Sequence, residues 1–414
     1  MDATCNRLPR ASASFLARRV SSFRASSIAL WSRLAQNGYA INLAHGFPDF
    51  PAPEHIKQAA ISAILEDYNQ YRHVQAACDE VAKHFSETQG VQIDPTNITL
   101  CCGQSEAFAA SIMAVVDVGD EVLLLDPCYE TYEACIALAG GCPVYVRMKP
   151  PYWTIDMNML EASISSRSKA IVVNSPHNPT GKVFSMQELT DIAELCVKYD
   201  LLAITDEVYE HITYGNAKHI SLASLPGMVD RTVITSSLSK TFSVTGWRLG
   251  WAIAPPEIAP AVSNIHVKIS DSAPAPFQEA AVIALRSSND YFVSLRKEYE
   301  ERRDFVLHML RAVGFEAYFK PEGSMFVFVE LPVSSTKDDV EYATELIEKA
   351  GVAIVPGHGF FHNNKRESEN FNRFCIDGMG KDTHEYTRRY VRIAFCKSKS
   401  TLFSAARAWQ SYPL

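Results

Sequence analysis

At 414 residues the chain is long enough for a large core and more than one domain. Its composition, 47% hydrophobic and 21% charged, is that of a globular protein, and a formal net charge of -8 excludes the basic surface a nucleic-acid binder needs. No apolar run reaches the length of a membrane span. Ten cysteines without a CxxC pair offer neither a disulfide framework nor zinc spacing. Reduced thiols, an intracellular protein and no metal site are therefore expected.

The first 27 residues carry Arg7, Arg10, Arg18, Arg19 and Arg24 against one acid, Asp2, and are rich in serine. That composition suits an organelle transit peptide or an exposed basic arm. A cytoplasmic protein is expected, with a plastid or mitochondrion as the alternative. Between about residues 95 and 255, seven short apolar runs alternate with amphipathic helical patterns. They are ITLCC (98–102), EVLLL (121–125), PVYVR (143–147), KAIVV (169–173), LLAIT (201–205), TVITS (232–236) and LGWAIA (249–254). Runs of this kind predict strands buried on both faces of a mostly parallel, doubly wound α/β sheet. The clearest helix is SMQELTDIAELCVKY: Ser185 and Glu188 form a capping box, and Leu189, Ile192, Leu195 and Tyr199 form one face.

After about residue 275 the pattern becomes a smaller α+β domain. Strands are expected at EAYF, SMFVFVEL, VAIVP and YVRIAF, with helices at KDDVEYATELIEKA and TLFSAARAW. The polar stretch 362–389 reads as an exposed insertion. The expected organisation is a 1–16 extension, a 17–50 arm with part of the small domain, a 51–290 large domain and a 291–414 small domain.

There is no GxGxxG and no GxxxxGK[ST], so the sheet alone implies no nucleotide. The polar residues at the strand ends are more informative. NSPHNPTGKVF (174–184) follows a strand, and Asn178 either presents its amide to a ligand or sits in a plain Asn-Pro turn. Asp206 ends another strand, with Tyr209 just beyond; a carboxylate there is salt-bridged or faces a cationic ligand atom. SSLSKTFSVTGWRLG places Ser237, Lys240 and Arg248 after a third. GQSEAF opens a helix whose free N–H groups suit a phosphate, and Ser237 and Arg248 add a hydroxyl and a guanidinium. Together these parts suit an aromatic cation bearing a phenolic oxygen, an aldehyde and a phosphate, which is pyridoxal 5'-phosphate (PLP) held by Lys240 as a Schiff base.

SLSKTFSVTGWRLG resembles the lysine signature of class I/II aminotransferases of PLP fold type I. NLAHGFPDFPAP, NQY, GQSEAF, DPCYETY, NSPHNPTGKVF, ITDEVYEHITY, SLASLPGM and RIAF extend the resemblance from about residue 17 to the end. It is nearest to the kynurenine–oxoglutarate, glutamine and methionine transaminase branch. The resemblance implies a large domain with a seven-stranded sheet. It implies that Lys240 carries the cofactor and then acts as general acid and base, that Asp206 pairs with the ring nitrogen, and that Asn178 and Tyr209 bond the ring oxygen. Tyr129 would stack on the ring, and Gln104, Ser105, Ser237 and Arg248 would hold the phosphate. Tyr71 would reach the phosphate of a neighbouring subunit, which implies a homodimer. Arg392 would grip the substrate α-carboxylate, helped by Asn178 and the backbone at Gly46. The substrates would be an amino acid and a 2-oxo acid, converted by a ping-pong mechanism.

No second arginine is evident for a dicarboxylate side chain; Arg72 and His73 are the only nearby candidates. The residues that align with the substrate pocket, Ile28, Phe47, Ala273 and Pro274, are apolar or small. A hydrophobic, aromatic or sulfur-containing amino donor is therefore expected. The alternative is a PLP-dependent lyase, of the cysteine-conjugate β-lyase or aminocyclopropane carboxylate synthase type. A PLP-binding regulator is a third reading, but no helix-turn-helix pattern precedes the fold.

Overall fold

A computed structural model describes residues 25–362 and 386–412. The expected 1–16 extension and nearly all of the 362–389 insertion lie outside these residues.

All seven predicted strands join one sheet, in the order Ile98–Cys101, Gly250–Ile253, Thr232–Ser237, Leu202–Asp206, Ser168–Asn174, Glu121–Asp126, Cys142–Arg147. Every pairing is parallel except the two made by Gly250–Ile253. Alternate residues of one strand enter different cores, as the pleat requires. Val122 and Leu124 pack with Phe108, Ile136 and Ile204 on one face. Leu123 and Leu125 pack with Ile171, Val173, Leu189 and Ile192 on the other. Helices cover both faces, which is why these strands read as continuous apolar runs rather than alternating ones.

The Met186–Lys198 helix shows how local sequence sets a boundary. Ser185 Oγ accepts from the Glu188 N–H while the Glu188 carboxylate accepts from the Ser185 N–H, a reciprocal cap worth about 1 kcal/mol. Leu189, Ile192, Ala193 and Cys196 form its buried face. Tyr199 departs from the expected face: it is exposed at the C-cap, where its hydroxyl donates to Glu161.

The later part of the chain forms a three-stranded antiparallel sheet in the order Val355–Pro356, Tyr390–Ala394, Phe326–Glu330. A separate parallel pair joins Ile41–Asn42 to Val352–Ala353. EAYF is not a strand. It lies between Gly314, at φ +85°, and Pro321, and Tyr318 is exposed, so the segment has no partner edge. One continuous apolar cluster links the inner face of the large sheet to this smaller one through Met325, Val327, Val391 and Ile393. That continuity fixes the Tyr390–Ala394 strand, and with it Arg392, against the large sheet.

Candidate active site

Parallel register brings three carboxyl ends side by side: Asn174 pairs with Asp206, and Asp206 with Thr235. Ligands of open α/β sheets bind at this edge. A cavity of about 390 Å³ lies there, in the usual range for a small-molecule site. Eleven of the twelve predicted site residues line it: Gly46, Gln104, Ser105, Tyr129, Asn178, Asp206, Tyr209, Ser237, Lys240, Arg248 and Arg392. Tyr71 does not. It lies outside the cavity, 77% exposed in a loop.

At one end is a cradle for an anion. Gly103, at φ +83°, caps the helix Gln104–Val115. A Cβ on Gly103 would collide with the Arg248 guanidinium, and one on Gly250 would come within 2.6 Å of the Gly103 carbonyl carbon. Both glycines are thus required by close approach. Arg248 is itself clamped, its Nη1 donating to the Thr245 carbonyl at 3.0 Å and its Nη2 to the Cys102 carbonyl at 3.3 Å. The Gln104 side chain donates to Thr235 Oγ1 at 3.1 Å, and Gln104 and Ser105, the first two residues of the helix, line the cavity. Behind the turn, Glu106 accepts from the Cys102 N–H, His266 and Ser270. Burial opposes its charge, yet these donors hold its carboxyl down to about 2.

At the floor, Asp206 is buried and accepts from the Tyr132 hydroxyl at 2.6 Å and the Val208 N–H at 3.2 Å. Burial lifts its carboxyl to about 6, against the pull of those two donors and of the Lys240 charge. No ion pair involves it among the described residues, so of the two sequence readings the salt bridge is not the one realised. Lys240 Nζ donates to the Gly46 carbonyl at 2.7 Å. Burial lowers its ammonium to about 8; Arg392 and Arg248 push the same way, and Asp206 opposes them.

At the other end stands Arg392, 1% exposed between the rings of Phe326 and Phe360, whose centroids lie 4.1 and 4.7 Å from its guanidinium carbon. Nη1 donates to Asn178 Oδ1 and Nη2 to the Ala44 carbonyl, both at 2.9 Å. Nε has no partner. Nε is buried, so what remains for a ligand is the second hydrogen on each Nη. Asn178 therefore touches the arginine rather than capping a simple turn, and its own N–H is fixed by Asn174 Oδ1 at 2.7 Å.

The chain is matched by the family model "Aminotransferase class I and II" over residues 39–389. The chain belongs to the class I and II aminotransferases. A solved structure of N-succinyldiaminopimelate aminotransferase from Mycobacterium tuberculosis superposes with a TM-score of 0.88 at 34% identity, covering 96% of this chain and 99% of that one. The methionine aminotransferase of Escherichia coli is 32% identical over 91% of this chain and 92% of its own length. Human kynurenine–oxoglutarate transaminase 3 is 34% identical over 84% and 83%. The chain is thus a transaminase of PLP fold type I, in a family that depends on PLP and moves amino groups between amino acids and 2-oxo acids.

Several lining residues were not singled out from the sequence. His45, Val208 and Phe326 line the cavity, and Tyr132 lies behind Asp206. His45 and Tyr132 sit inside quoted motifs, next to Gly46 and three residues after Tyr129, and adjacency was the only available signal. His45 is held neutral: burial, then Lys240, Arg392 and Lys397, lower its pKa to about 4. Ala273 and Pro274 do not line the cavity; Ala273 is in an apolar cluster and Pro274 caps the helix Ala275–Leu285. Arg72 pairs with Glu279 at 2.7 Å, and His73 reaches Gln75. Neither basic residue faces the cavity.

Proposed function

We propose that this aminotransferase binds PLP at Lys240 and prefers a hydrophobic, aromatic or sulfur-containing L-amino donor. The observation that carries the substrate class is the lining of the cavity that holds Arg392. Each Nη of its guanidinium makes one hydrogen bond and keeps a second N–H for an α-carboxylate, and Ile28, Phe47, Val208 and Phe326 supply apolar lining. The lining cations are Lys240, Arg248 and Arg392, each placed for cofactor or α-carboxylate. A second carboxylate would be desolvated without a partner, at a cost of several kcal/mol.

Two observations favour the cofactor itself. The absence of a side chain at Gly103 lets the Arg248 guanidinium lie against a helix N-terminus, and Gln104, Ser105, Ser237 and Arg248 line the cavity together, a donor set that suits a phosphate. Asp206 is a buried carboxyl without a cationic partner, poised for a protonated ring nitrogen. When bound, PLP supplies an aldehyde that captures the substrate amine and a ring that draws electron density from the substrate Cα. The chain's own residues do the rest. Asp206, oriented by Tyr132, holds negative charge at the floor. Arg392 and Asn178 fix the carboxylate end, so that the Cα–H bond faces Lys240. With its pKa near 8, Lys240 Nζ is neutral often enough to take that proton and return it as general acid.

We further propose a homodimer in which Tyr71 serves the partner's site. Its exposure outside its own cavity supports this. A panel of amino donors at fixed 2-oxo acid tests the substrate reading: methionine, phenylalanine and tyrosine should exceed aspartate in kcat/KM, and the reverse order would refute it.

A further inference from the structure

Outside the active site, three side chains from two distant parts of the chain converge. His84 is on the helix Gln75–Gln89, and Glu210 and His211 are in the turn after the strand Leu202–Asp206. His84 Nε2 and His211 Nε2 are 3.0 Å apart, and His211 Nε2 lies 3.9 Å from Glu210 Oε1. All three donor atoms fall within 4.8 Å of one another. We propose that His84, Glu210 and His211 bind a divalent first-row transition ion, zinc by ligand type, with a water in the fourth position.

The geometry fits that ion. Zinc bonds imidazole nitrogen at about 2.0–2.1 Å, which sets adjacent tetrahedral ligands about 3.3 Å apart. The His–His spacing is close to this, and a small rotation of Glu210 closes the third position. Two imidazoles and one carboxylate are a common zinc set. A void of about 10 Å³, lined by His84 and Glu210, adjoins the donors and has room for one water as fourth ligand. The supporting contacts are also present. Ser236 Oγ donates to Glu210 Oε1 at 3.0 Å, the outer-shell hydrogen bond that orients a metal-bound carboxylate. Phe292 packs on both imidazoles, at centroid distances of 5.7 and 4.4 Å. Glu210 and His211 keep side-chain exposures of 10% and 13%, enough for an ion to enter.

Two other His/Cys/carboxylate groups are already satisfied internally. Glu106 accepts from His266, Ser270 and a backbone N–H, and Asp126 pairs with Arg147 and His362. The His84 cluster differs: a plain hydrogen bond between the imidazoles engages one lone pair, whereas a cation engages three. Sequence spacing gave no hint of it, because 126 positions separate His84 from Glu210. An ion here ties that helix to the floor of the cofactor site, since Glu210 follows Tyr209 and Ser236 precedes Ser237.

The test is calorimetric titration of zinc into cofactor-saturated, chelator-treated protein, with metal analysis and thermal melting alongside. One zinc per chain is expected, with a rise in melting temperature. His84→Gln keeps a hydrogen bond to His211 but is a poor ligand, so it should fold, melt near the zinc-free wild type and lose the site. His211→Gln should do the same, and His55→Ala, whose imidazole reaches Ser287 and is not one of the three ligands, should bind normally. If either ligand variant misfolds, loss of the zinc-induced melting shift in the other still decides. Absence of stoichiometric zinc in the wild type, or zinc binding that survives both substitutions, overturns the proposal.

Discussion

Tyr132 donates its phenolic hydrogen to Asp206 at 2.6 Å from a buried position on the helix Thr131–Ala139. The carboxylate is thereby oriented by a neutral group, and its charge is left for a ligand. Tyr132→Phe should therefore keep the fold but lower kcat about tenfold or more, since a hydrogen bond to a charged group contributes about 1.5–3 kcal/mol. Steady-state kinetics at saturating cofactor check this. An unchanged kcat would mean that the bond is only structural.

The same carboxyl makes cofactor-free stability depend on pH. Asp206 binds its proton more tightly in the folded state, near 6, than in the unfolded chain, near 3.8. Its favourable contribution is full below the unfolded value and is lost as pH rises through about 6, on the order of 2–3 kcal/mol in all. Urea midpoints of wild type and Asp206→Asn across roughly pH 4 to 7 should converge in slope only if Asp206 is not responsible. The expected result is a flatter profile for the variant.

Lys240 must be neutral to capture an aldehyde. With burial lowering its pKa to about 8, the rate of cofactor capture should rise with pH and level off above that value, as stopped-flow absorbance would show. Borohydride should then fix the cofactor to Lys240 in peptide maps, and Lys240→Ala should abolish turnover while keeping phosphate-end affinity.

Gly103→Ala places a methyl group against the Arg248 guanidinium at a backbone angle that disfavours side chains. Cofactor affinity should fall at least about tenfold, with a stability loss near 1 kcal/mol. Equilibrium dialysis against denaturant unfolding separates the two effects.

What the sequence made legible was periodicity and punctuation. Most strands of the large sheet are buried on both faces, the edge strand Cys142–Arg147 less so, so their apolar runs were legible, and polar residues at their ends marked the site. Contacts made across distant segments left no such trace. Tyr132 belongs to a helix whose facing depends on how the chain turns after the Glu121–Asp126 strand, and the donors Arg392 keeps free depend on Asn178 and Ala44 taking only one hydrogen from each Nη. EAYF had strand-like composition, but no edge was available to pair with it.

Tyr71 and Lys240 should complement each other across subunits. If Tyr71 serves the partner's site, mixing dissociated Tyr71→Phe and Lys240→Ala proteins gives heterodimers with one intact site, and activity should rise well above that of either parent. No rise, with dimers confirmed by sedimentation, would place Tyr71 outside the reaction.

The central claim is amino transfer from an apolar donor anchored by Arg392. The most direct measurement mixes cofactor-loaded enzyme with one L-amino acid and no acceptor, and follows the cofactor spectrum and the organic product. Methionine or phenylalanine should convert the cofactor stoichiometrically to its amine form and release the matching 2-oxo acid. Aspartate should react far more slowly, and Arg392→Ala should slow every donor by about 2–5 kcal/mol of lost binding. Release of ammonia and a fragmented side chain, or aspartate reacting fastest by a wide margin, would contradict the account.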